Sequence, residues 1–157
     1  MKVVIVGAGQ NGGQVYNILK LDKEVQIAGF LDDDPDKQGT EKYGLPVFGA
    51  VSTVQPVAAK FGVRGAIVAV GNNGIRGRMT NQLREGGLCI VCAIHTHTFI
   101  DDTARIGQGS IIEMGAMIHP GILPLLLSPR SSFRLNRLST ISRPDLSSDS
   151  ACSVLPS

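Results

Sequence analysis

Three glycines near the N-terminus, Gly7, Gly9 and Gly12, have the G-x-G-x-x-G spacing of a loop that binds a nucleotide phosphate. Glycine at these positions allows a tight turn and a close approach of backbone to ligand, and the free N–H groups of the following helix attract phosphate. Asp32 stands twenty residues after Gly12, where a carboxylate can accept hydrogen bonds from a ribose or a base. The spacing therefore predicts nucleotide binding. The alternative is a plain strand–turn–helix whose glycines only let helix and sheet pack closely.

The segments on either side of the glycine loop have the patterns of a βαβ unit. The β-branched run Lys2–Val6 predicts a buried strand, and residues 12–20 predict a helix with one apolar face. Residues 25–31 predict a second strand, which ends at the acidic residues 32–34. The loop and Asp32 are thus expected at the same edge of a parallel sheet.

A second glycine-rich turn is expected at that edge. The apolar run of residues 65–70 predicts a buried strand, and Gly71 and Asn72 follow it directly. The remaining elements are predicted at 53–61 and 76–85 (helices) and at 88–93 (a strand). Residues 1–93 are therefore predicted to form a small Rossmann-like, doubly wound α/β sheet of four or five strands.

The sequence period changes to six at residue 94. Isoleucine then recurs at every sixth position, at Ile94, Ile100, Ile106, Ile112 and Ile118. A hexapeptide period predicts a β-helix solenoid, in which each isoleucine stacks on one in a neighbouring coil. Residues 94–122 are thus predicted to form a partial β-helix. The alternative is a glycine-rich loop in which the spacing arose by chance.

Composition changes again after residue 122. Residues 123–157 contain no Gly, Lys or Glu, but ten serines, four prolines and eight leucines. The prolines interrupt any helix, and the hexapeptide period fails at Ile122 and Pro124. We expect an irregular tail that is not part of the native fold.

Charge and hydropathy exclude several classes of function. The sequence has 15 Lys+Arg against 13 Asp+Glu, a net charge of +2, which is too balanced to favour nucleic acid or an anionic membrane surface. It has no apolar run of the roughly 18–20 residues that span a bilayer, and its N-terminal apolar run is too short for a secretory signal. We therefore expect a cytoplasmic protein.

The nucleotide loop followed directly by isoleucine-phased hexapeptides resembles the bacterial sugar O-/N-acyltransferases. These are related to the sialic acid O-acetyltransferase and to the UDP-amino-sugar N-acetyltransferases of glycan biosynthesis. The resemblance covers about residues 1–122. It rests on Val6–Gly12, Gly29–Asp34, Gly44–Val47, Ala69–Asn72 with Arg76, and the hexapeptides from Ile94 onward.

Similarity to that family implies a homotrimer with a left-handed parallel β-helix. It implies a UDP-linked sugar bound by the small domain, and acetyl-CoA bound along the β-helix between subunits. It also implies a set of substrate-binding residues around the glycine loop that begins at Gly7. These are Gly9, Asn11 and Gly12 at the phosphates, Asp32 and Asp33 near the uridine, and Gly71 and Asn72 at the border of the site.

The resemblance also implies a catalytic histidine in a later coil, and no histidine follows Ile122. The chain thus looks like a truncated or frame-shifted member, and we expect that it does not acylate a sugar by itself. The three histidines present do not suggest a metal site. His95 and His97 alternate on one strand face, but no Cys or acidic residue is spaced to complete a site, and His119 lies in a predicted turn.

A binding module without chemistry of its own is the second possibility. Asp32 at the end of the second strand fits the ribose of NAD as well as it fits a uridine. The hexapeptides distinguish the two possibilities, because a nucleotide- or NAD-binding sensor does not need them.

Overall fold

The structure is a computed structural model, and it describes residues 1–120. Within that range the α-helices are α1 Gln10–Leu19, α2 Val54–Phe61 and α3 Asn73–Glu85. The strands are β1 Lys2–Val6, β2 Gln26–Leu31, β3 Glu41–Lys42, β4 Leu45–Pro46, β5 Gly65–Val68, β6 Cys89–Ile90, β7 Ala93–Ile94, β8 Phe99–Ile100, β9 Ile111–Ile112 and β10 Met117–Ile118. None of the helices in residues 1–120 combines the length and the apolarity needed to cross a membrane. The tail predicted at 123–157 lies outside the described residues.

Four strands form one parallel sheet in the order β2-β1-β5-β6. Side chains alternate across a strand, so the central strand β1 contributes to a core on each face of the sheet. On one face Val4 packs in a cluster with Val57 of α2 and Leu83 of α3. On the other face Ile5 packs in a cluster with Val15 of α1. Helices therefore cover both faces, and the predicted Rossmann-like, doubly wound α/β fold is confirmed.

Several element boundaries differ from those predicted, and two of the differences have a clear physical reason. The single strand expected at 88–93 is divided, because β6 pairs with β5 in the sheet whereas β7 pairs with β9 of the hexapeptide segment. Cys92 lies between the two strands, and its thiol donates to the carbonyl of Gly107 at 3.2 Å. Helix α3 begins three residues earlier than expected. Its N-terminus is capped by Asn72, whose Oδ1 accepts the N–H of Ile75 at 3.0 Å.

The strands β3 and β4 form a short antiparallel hairpin after β2. Its two turn residues have left-handed backbone conformations, with φ of 54° at Tyr43 and 72° at Gly44. Gly44 adopts that conformation without steric cost, whereas Tyr43 is held in it by its surroundings. The Tyr43 ring stacks on Tyr16 of α1, with ring centroids 4.5 Å apart and planes 2° from parallel. The hairpin is thereby fixed against the first helix.

Paired residues in the hexapeptide segment lie 18 positions apart in parallel strands. Ile94 lies opposite Ile112, and Ile100 lies opposite Ile118. Three hexapeptides therefore separate the two members of each pair. Ile106 and Ile112 are buried, while Ile94, Ile100 and Ile118 are half-buried. None of the five isoleucines lies on a helix. This agrees with their spacing, because a period of six does not match the 3.6 residues per turn of an α-helix.

The hexapeptide segment packs directly on the sheet domain. Ala93 of β7 has no exposed surface and belongs to the same core cluster as Ile5 and Val15. At the other side of the contact, the guanidinium of Arg84 at the end of α3 donates to Oε1 of Gln108 at 3.3 Å. These contacts fix the segment against α1 and α3.

Candidate functional site

A cleft of about 500 Å³ opens at the carboxyl edge of the sheet, between the loops that follow β1 and β5. The connections from these neighbouring strands lead to helices on opposite faces of the sheet, and ligands of open α/β sheets bind at such a point. Six of the eight predicted site residues line this cleft: Gly7, Gly9, Asn11, Asp32, Asp33 and Gly71. The other two, Gly12 and Asn72, are not part of its lining.

The three glycines of the loop have different roles in the structure. Gly7 has φ of +104°, and a Cβ there would lie 2.8 Å from the carbonyl oxygen of Ala69 on the neighbouring strand loop. Gly12 is buried, and a Cβ there would overlap the carbonyl oxygen of Gly7. Gly9 is the N-cap of α1, with no atom within 4 Å of a Cβ built on it. Gly7 and Gly12 therefore allow the loop to form, and Gly9 leaves space open on the cleft side.

The loop presents backbone N–H groups that have no protein partner. Neither the N–H of Gly9 nor that of Gln10 donates to an acceptor among residues 1–120, and both residues line the cleft. They lie at the N-terminus of α1, where the helix dipole adds a partial positive charge. This arrangement is suited to an anion such as a phosphate.

Asp32 braces the glycine loop. Its Oδ2 accepts the N–H of Ala8 at 2.7 Å, and its Oδ1 accepts the N–H of Asp34 at 2.9 Å. The side chain is only 14% exposed. Both oxygens therefore already accept a backbone hydrogen bond. Sequence reasoning assigned this carboxylate to a ligand, and it could not show the bond to Ala8, which joins residues 24 positions apart.

Asp33 lies at the same carboxyl edge of the sheet and contacts the segment that begins at Val51. Its Oδ1 accepts the N–H of Val51 at 2.8 Å, at the start of the short 3-10 helix Val51–Thr53. Asp33 is nonetheless exposed at the mouth of the cleft. It is therefore more accessible to a ligand than Asp32.

Lys37 is a cleft residue that sequence reasoning missed. Its Nζ lies 2.9 Å from Oδ2 of Asp34 and 3.5 Å from Oδ2 of Asp32. The hydrogen bond to Asp34 raises the pKa of Lys37, and the same bond lowers the pKa of Asp34. The ammonium is therefore charged at neutral pH and gives the cleft a cation. The sequence does contain a feature that could have identified it, because Lys37 is the one basic residue in the acidic loop of residues 32–40.

Gly71 and Asn72 differ in what they contribute. Gly71 lines the cleft, and a Cβ there would come within 3.3 Å of Nδ2 of Asn11. Asn72 caps α3 through Ile75, so its side-chain oxygen is used within the fold. The side chain of Asn11 thus approaches the second loop from α1, and the two glycine-rich turns meet across the cleft.

A second cavity of about 600 Å³ adjoins the cleft, between α1, α3 and the hexapeptide segment. It shares Asn11, Ala69 and Val70 with the cleft lining. Its walls carry charge of both signs, from Arg76, Arg105 and Glu113, among other residues. The Arg76 guanidinium is held by bonds to the carbonyl of Val70 at 3.0 Å and to Oδ1 of Asn73 at 2.7 Å.

None of the three histidines lines either cavity. His95 and His97 are neighbours, with ring centroids 5.4 Å apart, and the N–H of His97 donates to Nδ1 of His95 at 3.0 Å. His119 is exposed beside the ring of Phe99. Residues 1–120 contain no group of three or more His, Cys, Asp or Glu side chains that could hold a metal ion.

The parallel sheet, the glycine loop at the start of α1 and the cleft between two strand ends define a Rossmann-like α/β domain. The chain belongs to the PglD N-terminal domain family, whose model matches residues 2–83, just over half of the sequence. The resemblance to bacterial sugar acyltransferases that the sequence indicated is confirmed at the level of the family. No curated protein sequence gives a significant match.

Two solved acetyltransferases are similar over most of the described chain. A variant of perosamine N-acetyltransferase from Caulobacter crescentus, in complex with CoA and GDP-perosamine, is 27% identical with a TM-score of 0.67. The alignment covers 76% of this chain and 55% of that one. The acetyltransferase domain of PglB from Neisseria gonorrhoeae, in complex with acetyl coenzyme A, is 28% identical with a TM-score of 0.63, over 76% and 56% of the two chains. This chain thus spans little more than half the length of these relatives.

The chain also shares its fold with a protein of another class. The Rex-family repressor RSP is 19% identical with a TM-score of 0.51, over 75% of this chain and 52% of that one. This likeness concerns the fold alone.

Proposed function

We propose that residues 1–93 bind a nucleotide-linked sugar and that residues 94–122 begin a left-handed parallel β-helix. In this proposal the chain is part of an acetyl-CoA-dependent sugar O- or N-acetyltransferase of glycan biosynthesis, located in the cytoplasm. Family membership and the complexes of the two acetyltransferases, with CoA and GDP-perosamine or with acetyl coenzyme A, support it. The family resemblance favours a UDP-linked sugar, and the GDP-perosamine bound by the Caulobacter relative makes GDP the first nucleotide to compare with UDP.

The observation that carries the proposal is the pair of unpartnered N–H groups at Gly9 and Gln10, which face the cleft at the start of α1. A diphosphate at this position would accept both of them. Lys37 supplies a cation nearby, and Asp33 is accessible to the nucleoside. The adjoining cavity, with Arg76 and Arg105, provides space for the sugar next to the loop.

Gly9→Val is expected to weaken binding of UDP or GDP by at least about 100-fold. The valine side chain would occupy the space that the phosphate needs. It should not disturb the fold, because Gly9 has φ of −77° and ψ of −161°, which other residues adopt readily, and no neighbour lies within 4 Å. Isothermal titration calorimetry measures the affinity, and thermal unfolding checks the fold.

Asn17→Val, on an exposed position of the same helix, is the matched control and should bind like the wild type. Undiminished nucleotide binding by Gly9→Val would contradict the placement of the phosphates.

The class of ligand is tested by calorimetry with UDP, GDP, a panel of UDP-sugars, and NAD. We expect a response to a nucleoside diphosphate or its sugar conjugate. Tight binding of NAD without any response to UDP or GDP would instead support the non-catalytic NAD-binding module.

Acetyl transfer is tested by incubating the purified protein with acetyl-CoA and UDP- and GDP-linked amino sugars. We expect no turnover, because none of the three histidines lines the cleft or the adjoining cavity, and general-base catalysis typically contributes about 10²–10⁴-fold. Measured turnover would contradict this part of the proposal and would point to His95, His97 or His119 as the base.

The homotrimer that the family resemblance implies for a complete β-helix is supported by an apolar surface on the hexapeptide segment. Phe99 and Met117 lie opposite each other across β8 and β10, and they are 52% and 64% exposed. Met114, close by in sequence, is 69% exposed. Such a surface fits contact with another copy of the chain. A sedimentation-equilibrium mass of one chain at micromolar concentration would exclude the trimer.

A further inference from the structure

Lys42 reaches the glycine loop from the β3–β4 hairpin. Its Nζ donates to the carbonyl oxygen of Ala8 at 2.6 Å and to that of Gly9 at 2.8 Å. These residues are 34 and 33 positions away in sequence, so only the tertiary fold brings the lysine there. A half-buried ammonium with two short bonds to one loop is a defined contact and not a solvated surface charge.

The hairpin that carries Lys42 is anchored on α1. The next residue, Tyr43, stacks on Tyr16, and its hydroxyl lies 2.5 Å from the position that a Cβ on Gly13 would take. Gly13 is buried and has no side chain, so the tyrosine covers the first turn of the helix closely. This packing fixes the direction in which Lys42 approaches the loop.

The two bonds help to fix the orientation of two peptide groups of the loop, and at Gly9 they act together with the N–H of Gly13, which donates to the same carbonyl at 3.2 Å. In a planar trans peptide the carbonyl and the following N–H point in opposite directions. Lys42 holds the carbonyls of Ala8 and Gly9, and these belong to the same peptide groups as the N–H groups of Gly9 and Gln10. The carbonyls are thereby held toward the ammonium, and the two unpartnered N–H groups point away from it.

We propose that Lys42 is a positioning residue for the diphosphate of the nucleotide ligand. It holds the peptide group that carries the Gly9 N–H, it reinforces the helical hydrogen bond that orients the Gln10 N–H, and its positive charge offsets the two carbonyl dipoles beside the anion. This role rests on the proposed function, because it requires that the cleft take a diphosphate. It concerns the diphosphate and not the nucleoside, since within residues 1–120 the ammonium of Lys42 contacts the glycine loop and the adjacent Tyr43 ring.

The test compares the wild type with Lys42→Met, Lys42→Arg and the control Lys20→Met. Lys20 immediately follows the last residue of α1, about 15 Å along the helix from the loop, and its substitution removes the same charge. Calorimetry with uridine, UMP and UDP, and with guanosine, GMP and GDP, gives the affinity gained from each phosphate. Amide resonances of Gly9 and Gln10 in the ligand-free protein report the orientation of the loop without any ligand.

Lys42→Met is expected to weaken UDP or GDP binding by about 10- to 100-fold and nucleoside binding by less than about threefold. Lys42→Arg keeps the charge and should recover most of the affinity, and Lys20→Met should behave as the wild type. The amide resonances of Gly9 and Gln10 should shift in Lys42→Met and not in Lys20→Met.

Three results would overturn the proposal. Equal affinity of wild type and Lys42→Met for the diphosphate would exclude the role of Lys42 while leaving nucleotide binding intact. An equal loss for nucleoside and diphosphate, with a lowered melting temperature, would show that Lys42 only stabilises the fold. Absence of any nucleotide binding by the wild type would refute the proposed function itself, and the role of Lys42 with it.

Discussion

Gly12→Ala is expected to lower the free energy of unfolding by about 2–4 kcal/mol, because the added methyl group has no space. The Cβ would overlap the carbonyl oxygen of Gly7, which is backbone and cannot rotate away as a side chain would. Either the glycine loop or the first turn of α1 must then move. Urea denaturation followed by circular dichroism measures the change.

Gly74→Ala is the matched control for that variant. Gly74 lies in the first turn of α3, and a Cβ there would make only ordinary contacts, at 3.4 Å from Oδ1 of Asn72 and 3.8 Å from Nη1 of Arg78. The substitution should be neutral or stabilising by up to about 1 kcal/mol, as is usual for glycine in a helix. If Gly12→Ala were as stable as Gly74→Ala, Gly12 would not lie as close to the carbonyl of Gly7 as the structure places it.

Ile106→Asp is expected to destabilise the protein by about 3–5 kcal/mol. Ile106 is 3% exposed, so the substitution would bury a carboxylate in place of an apolar side chain. Its neighbours in the six-residue series, Ile100 and Ile112, are half-buried and buried, and neither side chain offers the carboxylate a hydrogen-bond donor. Urea titration monitored by circular dichroism gives the change in stability.

Two further variants make the result interpretable. Ile106→Val removes one methylene and should cost about 0.5–1.5 kcal/mol. Thr96→Asp introduces the same carboxylate at an exposed turn position of the segment and should change stability by less than about 0.5 kcal/mol. A loss with Ile106→Asp no larger than with Thr96→Asp would show that Ile106 is not in the interior of the segment.

The glycine loop owes its conformation to contacts from three separate parts of the chain. Asp32, which follows β2, accepts the N–H of Ala8. Lys42, on the hairpin, donates to the carbonyl oxygens of Ala8 and Gly9. Gly12 lets the helix close against the loop. A loop held in this way can present its N–H groups without reorganising when a ligand binds, which favours affinity.

The local elements of the sheet domain could be predicted from sequence because their signals are local. A β-branched run predicts β1, apolar residues at helical spacing predict α1, and the six-residue isoleucine period predicts the change of architecture at residue 94. Boundaries were less accurate where a single side chain decides them. Asn72, by capping α3, moved the start of that helix three residues toward the N-terminus.

The roles of individual site residues depend on contacts that a spacing pattern does not contain. The family resemblance assigns both Gly9 and Gly12 to the phosphates, and the structure leaves space around Gly9 and buries Gly12 against the carbonyl of Gly7. The resemblance also assigns Asp32 to the ligand, and the structure adds that its oxygens accept the N–H groups of Ala8 and Asp34. A spacing pattern cannot separate a glycine that admits a ligand from one that admits a neighbouring peptide.

The sequence by itself determined the class of fold, the position of the glycine loop and the register of the isoleucines, because each depends on residues close together in the chain. The tertiary structure alone decided which of those residues share a cleft and which brace it. Lys37 lines the cleft, and Lys42 contacts the glycine loop from 34 positions away in sequence. No spacing motif predicts a contact between residues so far apart in the chain. Side-chain roles of this kind depend on which backbone groups remain without a partner, and that is settled only when the elements pack together.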